Sequence, residues 1–349
     1  MTEILELPFD QFQRYELVRA LLESVRADGE QFHVLDVGGR TALLREFLPL
    51  DRVDLVDIDP SDADGLVLGS GAELPFQDDS FDAVCGFDTL EHVPPPLREA
   101  FVAECARVAK RYVILAGPYD APRVAEAEQI LLDFLKVRLD WEHRYLVEHR
   151  VNGLPDMAAT RAGLEACGAA TSAAGHGALD LWLLLMSLEL YIEHEHLLRE
   201  FARSIYRFYN ENLFLSDHGP EVYRHAVIGA FGGAPMPTLE GVLQPRGSAP
   251  AEAGRTLIEL GRELLRYDAL RDTFTPEMER LHGVVAGVTK DLEEHKATVR
   301  TLEEDLQGHR ETVDELRREL ADERARAQSM AAEKDEHIGG LTADLDAHR

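Results

Sequence analysis

Two glycines and an acidic residue about twenty positions later are the first residues whose types and spacing suggest chemistry. Gly38 and Gly39 follow a short apolar run, His33–Val37, that is predicted to be a β-strand. A second apolar run ends in Asp57 and Asp59. Glycines after a strand let the backbone approach a ligand, and an acid after the next strand can accept both ribose hydroxyls of a nucleoside. The spacing predicts a nucleoside site with Asp57 as the ribose acceptor and Asp59 as the alternative.

A sheet is needed to bring these residues to one edge. Strand and helix signals alternate over roughly a hundred residues, which predicts a doubly wound parallel sheet. The predicted strands cover 33–37, 52–57, 65–68, 81–86 and 112–116, with helices at 10–28, 41–47 and 96–109. Helices at 124–139, 157–167 and 179–213 follow, with a weak strand near 170–174 and a last strand at 223–231.

Composition excludes several classes of protein. The chain has 349 residues, of which 45% are apolar, so it can bury a core. Lys and Arg number 36 against 65 Asp and Glu, and the formal net charge is −29. Because binding to nucleic acid or to an anionic membrane surface needs a basic patch, we expect neither partner.

Cysteine usage and hydropathy favour a reducing, cytoplasmic setting. The three cysteines, Cys85, Cys105 and Cys167, form no CxxC pair, so we expect no disulfide framework and no metal site. The N-terminus has no signal-peptide pattern. The most apolar run, 181–191, contains Glu189 and falls well short of the roughly twenty residues of a membrane span, so we expect no transmembrane segment.

The last third of the chain has a different character. Residues 232–251 are rich in Gly and Pro and are predicted to be a linker, followed by a helix over 252–274. Thr275 and Pro276 resemble a new helix start, and apolar residues then recur with alternating spacings of three and four over 275–349. One seam position carries Val285, Leu292, Val299, Leu306, Val313 and Leu320. This pattern predicts a left-handed coiled coil and a homo-oligomer, most simply a parallel dimer or trimer.

Five segments in a fixed order resemble the class I S-adenosylmethionine-dependent methyltransferases of the type 11-like branch. They are VLDVGG (34–39), VDIDP (56–60), AELPFQDDSFDAV (72–84), DTLEHV (88–93) and ARVAKRYVILAGP (106–118). The LPF, SFD and LEH combination is the most specific part, and the resemblance covers 30–120 well and extends to about 231. It implies a domain over 1–231 with a Rossmann-like sheet, a helical insertion before the last strand, and S-adenosylmethionine as the cofactor.

The resemblance also assigns nine residues to that cofactor. Asp36, Gly38 and Gly39 would contact the methionine end, and Asp57 the ribose. Ile58, Ser70 and Gly71 would contact the adenine, and Phe87 and Asp88 would lie at the sheet edge that faces the transferred methyl. The sequence departs from the family pattern at three places. Arg40 and Ala42 occupy two usual glycine positions, Ser70 replaces an Asp, and the usual Pro-Gly-Gly before the fifth strand is absent.

The methyl acceptor is inferred from a weaker resemblance. The phrase HRYLVEHRVNGLPD (143–156) and the insertion before the last strand resemble a bacterial subgroup that accompanies glycosyltransferases in surface-polysaccharide synthesis. This implies O-methylation of a sugar or glycan hydroxyl, with glycosyltransferases as partners. Such a hydroxyl needs a general base. His92 is the first candidate, followed by His143 and His149, with Glu91 and Tyr119 behind them.

Two other functions stay open at this stage. The altered glycine loop and the long coil allow a non-catalytic scaffold that keeps the methyltransferase fold. The same fold would also suit methylation of a small metabolite, because fold does not determine the acceptor.

Overall fold

The computed structural model describes residues 4–194, 199–246 and 251–347. The chain divides into two compact units, with the boundary between Arg266 and Tyr267. None of the described helices combines the length and the apolar character needed to cross a membrane.

The first unit is built on a seven-stranded sheet in the order β3-β2-β1-β4-β5-β7-β6. The strands are β1 (His33–Val37), β2 (Arg52–Asp57), β3 (Leu66–Leu68), β4 (Phe81–Phe87), β5 (Ala109–Pro118), β6 (Ala170–Ala178) and β7 (Val222–Ala230). The helices are α1 (Phe9–Glu23), α2 (Leu44–Phe47), α3 (Arg98–Val108), α4 (Pro122–Leu139), α5 (Arg144–Asn152), α6 (Met157–Ala166), α7 (Leu179–His194) and α8 (Arg199–Asn212). Strands β1 to β5 pair in parallel, and β7 runs antiparallel to both β5 and β6.

Successive strand residues point to opposite faces of the sheet, and each face is covered by a hydrophobic core. On β1, Val34 packs into the core that holds α1 and Trp182, whereas Leu35 packs into the core around Phe101 of α3. Short, continuously apolar strands are typical of a sheet covered by helices on both faces. The strand order reverses between β1 and β4, so the carboxyl ends of these two strands form a crevice there.

Strands β1 to β5 pair in parallel as predicted, and β7, whose direction the sequence did not predict, runs antiparallel to β5 and makes the sheet mixed. Most other predicted elements are present, with three differences. The weak strand predicted near 170–174 is the nine-residue β6, whose Ala- and Gly-rich sequence has low strand propensity and is stabilised by pairing with β7. The helix predicted over 41–47 is reduced to α2, and the helix predicted over 10–28 ends at Glu23.

The segment predicted to be a linker packs against the first unit over its described residues, 232–246. Leu239 is buried, the Thr238 amide donates to Ser24 Oγ, and the Gln244 amide donates to the Leu215 carbonyl. Residues 247–250 of the predicted linker lie outside the described ranges. These contacts make residues 232–246 an extension of the domain surface.

One helix, α9 (Ala251–Ala347), contains both the predicted helix over 252–274 and most of the predicted coil over 275–349. The break expected at Thr275 and Pro276 is absent, and this prediction was wrong. A proline inside a helix costs about 3 kcal/mol, which favourable helix formers on both sides can offset. The apolar side chains of the predicted seam are exposed in the single chain, Leu281, Val288, Leu292, Leu302 and Leu306 among them.

Candidate active site

The loop after β1 lies at the crevice between β1 and β4. Gly38 has a φ of +87°, and a Cβ there would stand 2.5 Å from Thr89 Oγ1 in the loop after β4. A Cβ on Gly39 would stand 2.5 Å from the Asp36 carboxyl carbon. Both glycines are therefore required by close approach, and the loop presents bare backbone at the crevice.

Asp36 is a buried carboxyl beneath this loop. Its Oδ2 has no hydrogen-bond partner among the described residues. Burial, reinforced by the nearby charge of Asp57, raises the pKa of Asp36 to about 7. A cationic group bound in the crevice would satisfy this carboxyl. The methionine end of S-adenosylmethionine carries such a group, its ammonium, so the site fits the cofactor that the resemblance implies.

Asp57 is the last residue of β2 and faces the same loop. Its Oδ2 lies 3.4 Å from the Arg40 amide, and its Oδ1 accepts a hydrogen bond of 2.9 Å from the Asp59 amide. Asp59 is half-buried and forms an ion pair of 3.1 Å with the Arg40 guanidinium. Asp57 is thus held beside the glycine loop, whereas Asp59 lies at the rim.

The two substituted glycine positions are accommodated differently. Arg40 extends to the rim, where its guanidinium also donates to Tyr145 Oη of α5 at 2.8 Å. Ala42 has a φ of +57°, the left-handed conformation that glycine adopts without strain. The loop therefore keeps a backbone shape that favours glycine while carrying other side chains.

The three residues predicted at the adenine end have distinct surroundings. Ile58 is 73% exposed beside Asp57, which leaves an apolar surface free for a flat ring. Ser70 Oγ accepts a hydrogen bond from the Ala72 amide at 3.2 Å. A Cβ on Gly71 would stand 2.4 Å from the Phe101 ring, so packing against α3 requires glycine there.

At the end of β4, Phe87 is buried and Asp88 is ion-paired. The Asp88 carboxylate lies 2.9 Å from Arg224 Nε of β7 and 3.0 Å from Arg14 Nε of α1. Burial alone would raise the pKa of Asp88, but the two arginine charges outweigh it and lower the pKa to about 2. The side chain that the resemblance directs toward the transferred methyl therefore links three elements of the fold.

Three side chains beyond β4 form a compact polar group, called the EHH cluster below: Glu91, His92 and His149. One nitrogen or oxygen atom from each lies within 4.8 Å of the others. Glu91 is buried, and both its carboxylate oxygens lack hydrogen-bond partners among the described residues. Burial first, and then the charge of Asp88, raise the pKa of Glu91 to about 8.

Each histidine of the EHH cluster is oriented by a glutamate. His92 Nδ1 lies 3.1 Å from Glu148 Oε2, and His149 Nδ1 lies 2.8 Å from Glu128 Oε1. Burial lowers the pKa of His92, and the charge of His149 lowers it further. Sequence reasoning named His92, His149 and Glu91 but missed both glutamates. The i, i+4 spacing of Arg144 and Glu148 suggests only a surface ion pair.

The other predicted base candidates lie in structural positions. His143 caps α5, where its Nδ1 accepts a hydrogen bond of 3.4 Å from the Leu146 amide, and its ring packs against Trp141. The Tyr119 hydroxyl is buried and donates to the Leu115 carbonyl at 3.2 Å. Of the predicted base candidates, Glu91, His92 and His149 are therefore the ones that lie together in one polar cluster. A catalytic role for His143 stays a prediction.

One protein family and several solved structures are similar to this chain. Residues 35–116 match the family described as a methyltransferase domain. Magnesium protoporphyrin IX methyltransferase from Synechocystis, solved with bound S-adenosylhomocysteine, is 16% identical at a TM-score of 0.38, covering 64% of this chain and 84% of that one. A S-adenosylmethionine-dependent methyltransferase from Thermotoga maritima is 16% identical at a TM-score of 0.36, covering 66% and 99%. No curated protein matches the chain.

The matched segment contains most of β1, all of β2 and β4, the glycine loop with Asp36 and Asp57, and Glu91 and His92 after β4, so the first unit contains a methyltransferase domain. The chain is a methyltransferase, and the buried Asp36 beside the glycine loop fits S-adenosylmethionine as its cofactor.

Proposed function

We propose that this methyltransferase transfers the methyl group to a hydroxyl of a sugar or glycan in bacterial polysaccharide synthesis. The observation that carries the proposal is the EHH cluster, whose buried Glu91 oxygens and His149 Nε2 lack hydrogen-bond partners in the described ranges. Unsatisfied buried polar groups are costly, and a polyhydroxyl acceptor would pair with them. The formal charge of −29 further favours a neutral acceptor over a polyanion.

Different residues of the crevice would bind different parts of the cofactor. Asp36, Gly38 and Gly39 would hold the methionine end and Asp57 the ribose. S-adenosylmethionine supplies a methyl group activated by a sulfonium. Displacement in line with the sulfonium depends mainly on holding the hydroxyl oxygen behind the methyl, and such positioning can supply several kcal/mol of the barrier reduction.

The hydroxyl proton must also leave, and the EHH cluster can accept it. With Nδ1 of His92 on Glu148, its Nε2 is the ring nitrogen left to face an acceptor. A base oriented by a carboxylate in this way is a recurring catalytic arrangement. His92 is therefore the proposed base, and Glu148 positions it.

Calorimetric titration with S-adenosylhomocysteine tests the cofactor site. Asp57→Ala should weaken binding about 10- to 100-fold, because a hydrogen bond to a charged group is worth roughly 1.5–3 kcal/mol. Asp62→Ala, at an exposed aspartate in the following loop, is the matched control and should bind normally. Unchanged affinity in Asp57→Ala would transfer the ribose role to Asp59.

Methyl transfer from radiolabelled S-adenosylmethionine to nucleotide sugars and lipid-linked glycans tests the acceptor. We expect labelled glycan from the wild type and a loss of at least tenfold in kcat for His92→Ala. Labelling of small metabolites alone would favour the small-metabolite alternative. Cofactor binding without transfer to any acceptor would favour the scaffold, and co-purification would test glycosyltransferase partners.

We also propose that α9 assembles the chain into a homo-oligomer. The support is the exposed apolar stripe at heptad spacing, which includes Leu292, Val299 and Leu306. Burying such a stripe against a second copy would remove it from water.

A further inference from the structure

The two histidines of the EHH cluster share an arrangement that a general base alone does not explain. In both, Nδ1 is engaged by a carboxylate, from Glu148 for His92 and from Glu128 for His149. In both, the hydrogen bonds of the structure leave Nε2 available. Histidine ligands of metal ions typically donate their other ring N–H to a carboxylate, which sets the tautomer and the ring orientation.

The carboxylate that orients His149 is itself buried. Glu128 is buried in α4, and its Oε1 also accepts a hydrogen bond of 2.9 Å from the Tyr223 hydroxyl of β7. The two imidazole rings lie with their centroids 4.8 Å apart, close enough for both to reach one ion. One ring nitrogen from each histidine and one Glu91 carboxylate oxygen lie within 4.8 Å of one another.

Glu91 supplies the third side chain. Its carboxylate is buried, unpaired and packed against Gly117 of β5, where a Cβ would stand 3.0 Å from Glu91 Oε2. A side chain at position 117 would displace the carboxylate, so glycine leaves the space that Glu91 occupies. Buried carboxyl oxygens without hydrogen-bond partners are costly, and coordination of a cation is one way to satisfy them.

We propose that Glu91, His92 and His149 bind one divalent transition-metal ion of the zinc class. Two imidazole nitrogens and one carboxylate oxygen form a donor set that Zn²⁺ accepts in catalytic sites, with a further position open to water or substrate. The nitrogen donors disfavour Mg²⁺ and Ca²⁺, which prefer oxygen ligands. The sequence predicted no metal site, because it has no cysteine pair and the three ligands are separated by up to 58 positions.

The role of this ion rests on the proposed O-methylation. An acceptor hydroxyl bound at the open position would lose its proton to solvent more easily, as metal-bound water does. The resulting oxygen would form the new O–CH₃ bond as the S–CH₃ bond breaks and its electron pair returns to sulfur. In the metal-loaded chain His92 would be a ligand, and the ion would activate the hydroxyl in place of the base role that His92 has in the metal-free site.

Direct metal binding tests the proposal independently of turnover. The full chain, without a histidine tag, is stripped with chelator, titrated with Co²⁺ while its visible absorption is followed, and then displaced with Zn²⁺. We expect one ion per chain and at least tenfold weaker binding in Glu91→Gln and His92→Ala. Glu128→Gln, which removes the carboxylate that orients His149, should weaken binding roughly 10- to 100-fold. Mg²⁺ should not displace Co²⁺.

His143→Ala is the matched control, since it removes the neighbouring histidine that caps α5 and is not part of the cluster, and it should keep full metal binding. Equal Co²⁺ spectra and stoichiometry in the wild type and in a Glu91→Gln, His92→Ala double variant would overturn the site, as would the absence of binding to the wild type. Circular dichroism of each variant checks that it is folded. Titration of the same samples with S-adenosylhomocysteine separates the two failures, because metal variants should still bind cofactor.

Discussion

Asp36 is a buried carboxyl whose ionisation the fold opposes. Its pKa is raised from 3.8 to about 7, so the folded chain holds a proton that the unfolded chain releases at lower pH. The contribution of Asp36 to stability is therefore fully present below about pH 4 and declines as the pH rises to about 7. The carboxyl costs most stability at the pH where it would bind a cationic cofactor.

Asp36→Asn should remove this pH dependence. We expect the variant to gain stability relative to the wild type as the pH rises from about 4 to about 7, by up to about 4 kcal/mol. Urea unfolding followed by tryptophan fluorescence measures this in the first unit, which contains both tryptophans, Trp141 and Trp182. Asp62→Asn should retain the wild-type slope, and an unchanged slope in Asp36→Asn would show that Asp36 is ionised throughout.

Single residues could be predicted where local sequence decides their place. Asp57 follows an apolar strand, and the structure sets it beside the glycine loop. The outward path of Arg40 could not be predicted, because its partner Tyr145 is 105 positions away. Whether Asp57 contacts the ribose stays a prediction.

Asp88 links three elements of the first unit. Its carboxylate forms ion pairs with Arg224 of β7 and Arg14 of α1, and its backbone amide donates a hydrogen bond to the Ala116 carbonyl of β5. Arg224 is almost fully buried and also contacts Gln13. A buried guanidinium of this kind depends on its carboxylate for compensation.

Asp88→Asn should destabilise the first unit by about 3–5 kcal/mol, because it leaves Arg224 buried without its counter-charge. The measurement is the urea midpoint at neutral pH. Since the folded pKa of Asp88 is about 2, the stabilising contribution is present above about pH 4, and the wild-type advantage should disappear toward pH 2.

Asp79→Asn provides the control for this change. Asp79 also has a positive φ, of 50°, but its side chain is exposed. We expect Asp79→Asn to lie within about 0.5 kcal/mol of the wild type. Equal stability of the two variants would show that the Asp88 ion pairs contribute nothing net.

At the scale of the whole molecule, the first unit contains the site and α9 continues beyond it with an exposed apolar stripe. In the single chain, Leu306 and Leu302 are more than half exposed. Scattered exposed leucines are common, but a stripe sustained over several heptads is typical of a surface that pairs.

Leu306→Glu should weaken self-association of the full chain by on the order of 100-fold, since each chain would lose roughly 1.5–3 kcal/mol of apolar burial and place a charge in the seam. Sedimentation equilibrium measures the association. Ala297→Glu adds the same charge on the face opposite the predicted seam and should associate normally. A monomeric wild type would contradict the proposal.

Local patterns determined much of this protein from the sequence alone. Apolar runs of four to seven residues that end in glycine or aspartate defined β1, β2 and β4, because burial on both faces of a parallel sheet requires continuous apolar strands. The heptad spacing likewise indicated a long C-terminal helix. These features depend on neighbours in sequence, so periodicity and composition are enough to predict them.

The tertiary structure alone decided which distant side chains meet. Glu91 and His92 follow β4, His149 comes from α5, and Glu128 comes from α4, so the EHH cluster exists only once the sheet order brings these elements to one edge. The pairing of Asp88 with Arg224 spans 136 positions and forms because β7 lies beside β5. Burial and charge compensation depend on which side chains are close in space, so local sequence patterns do not predict these contacts.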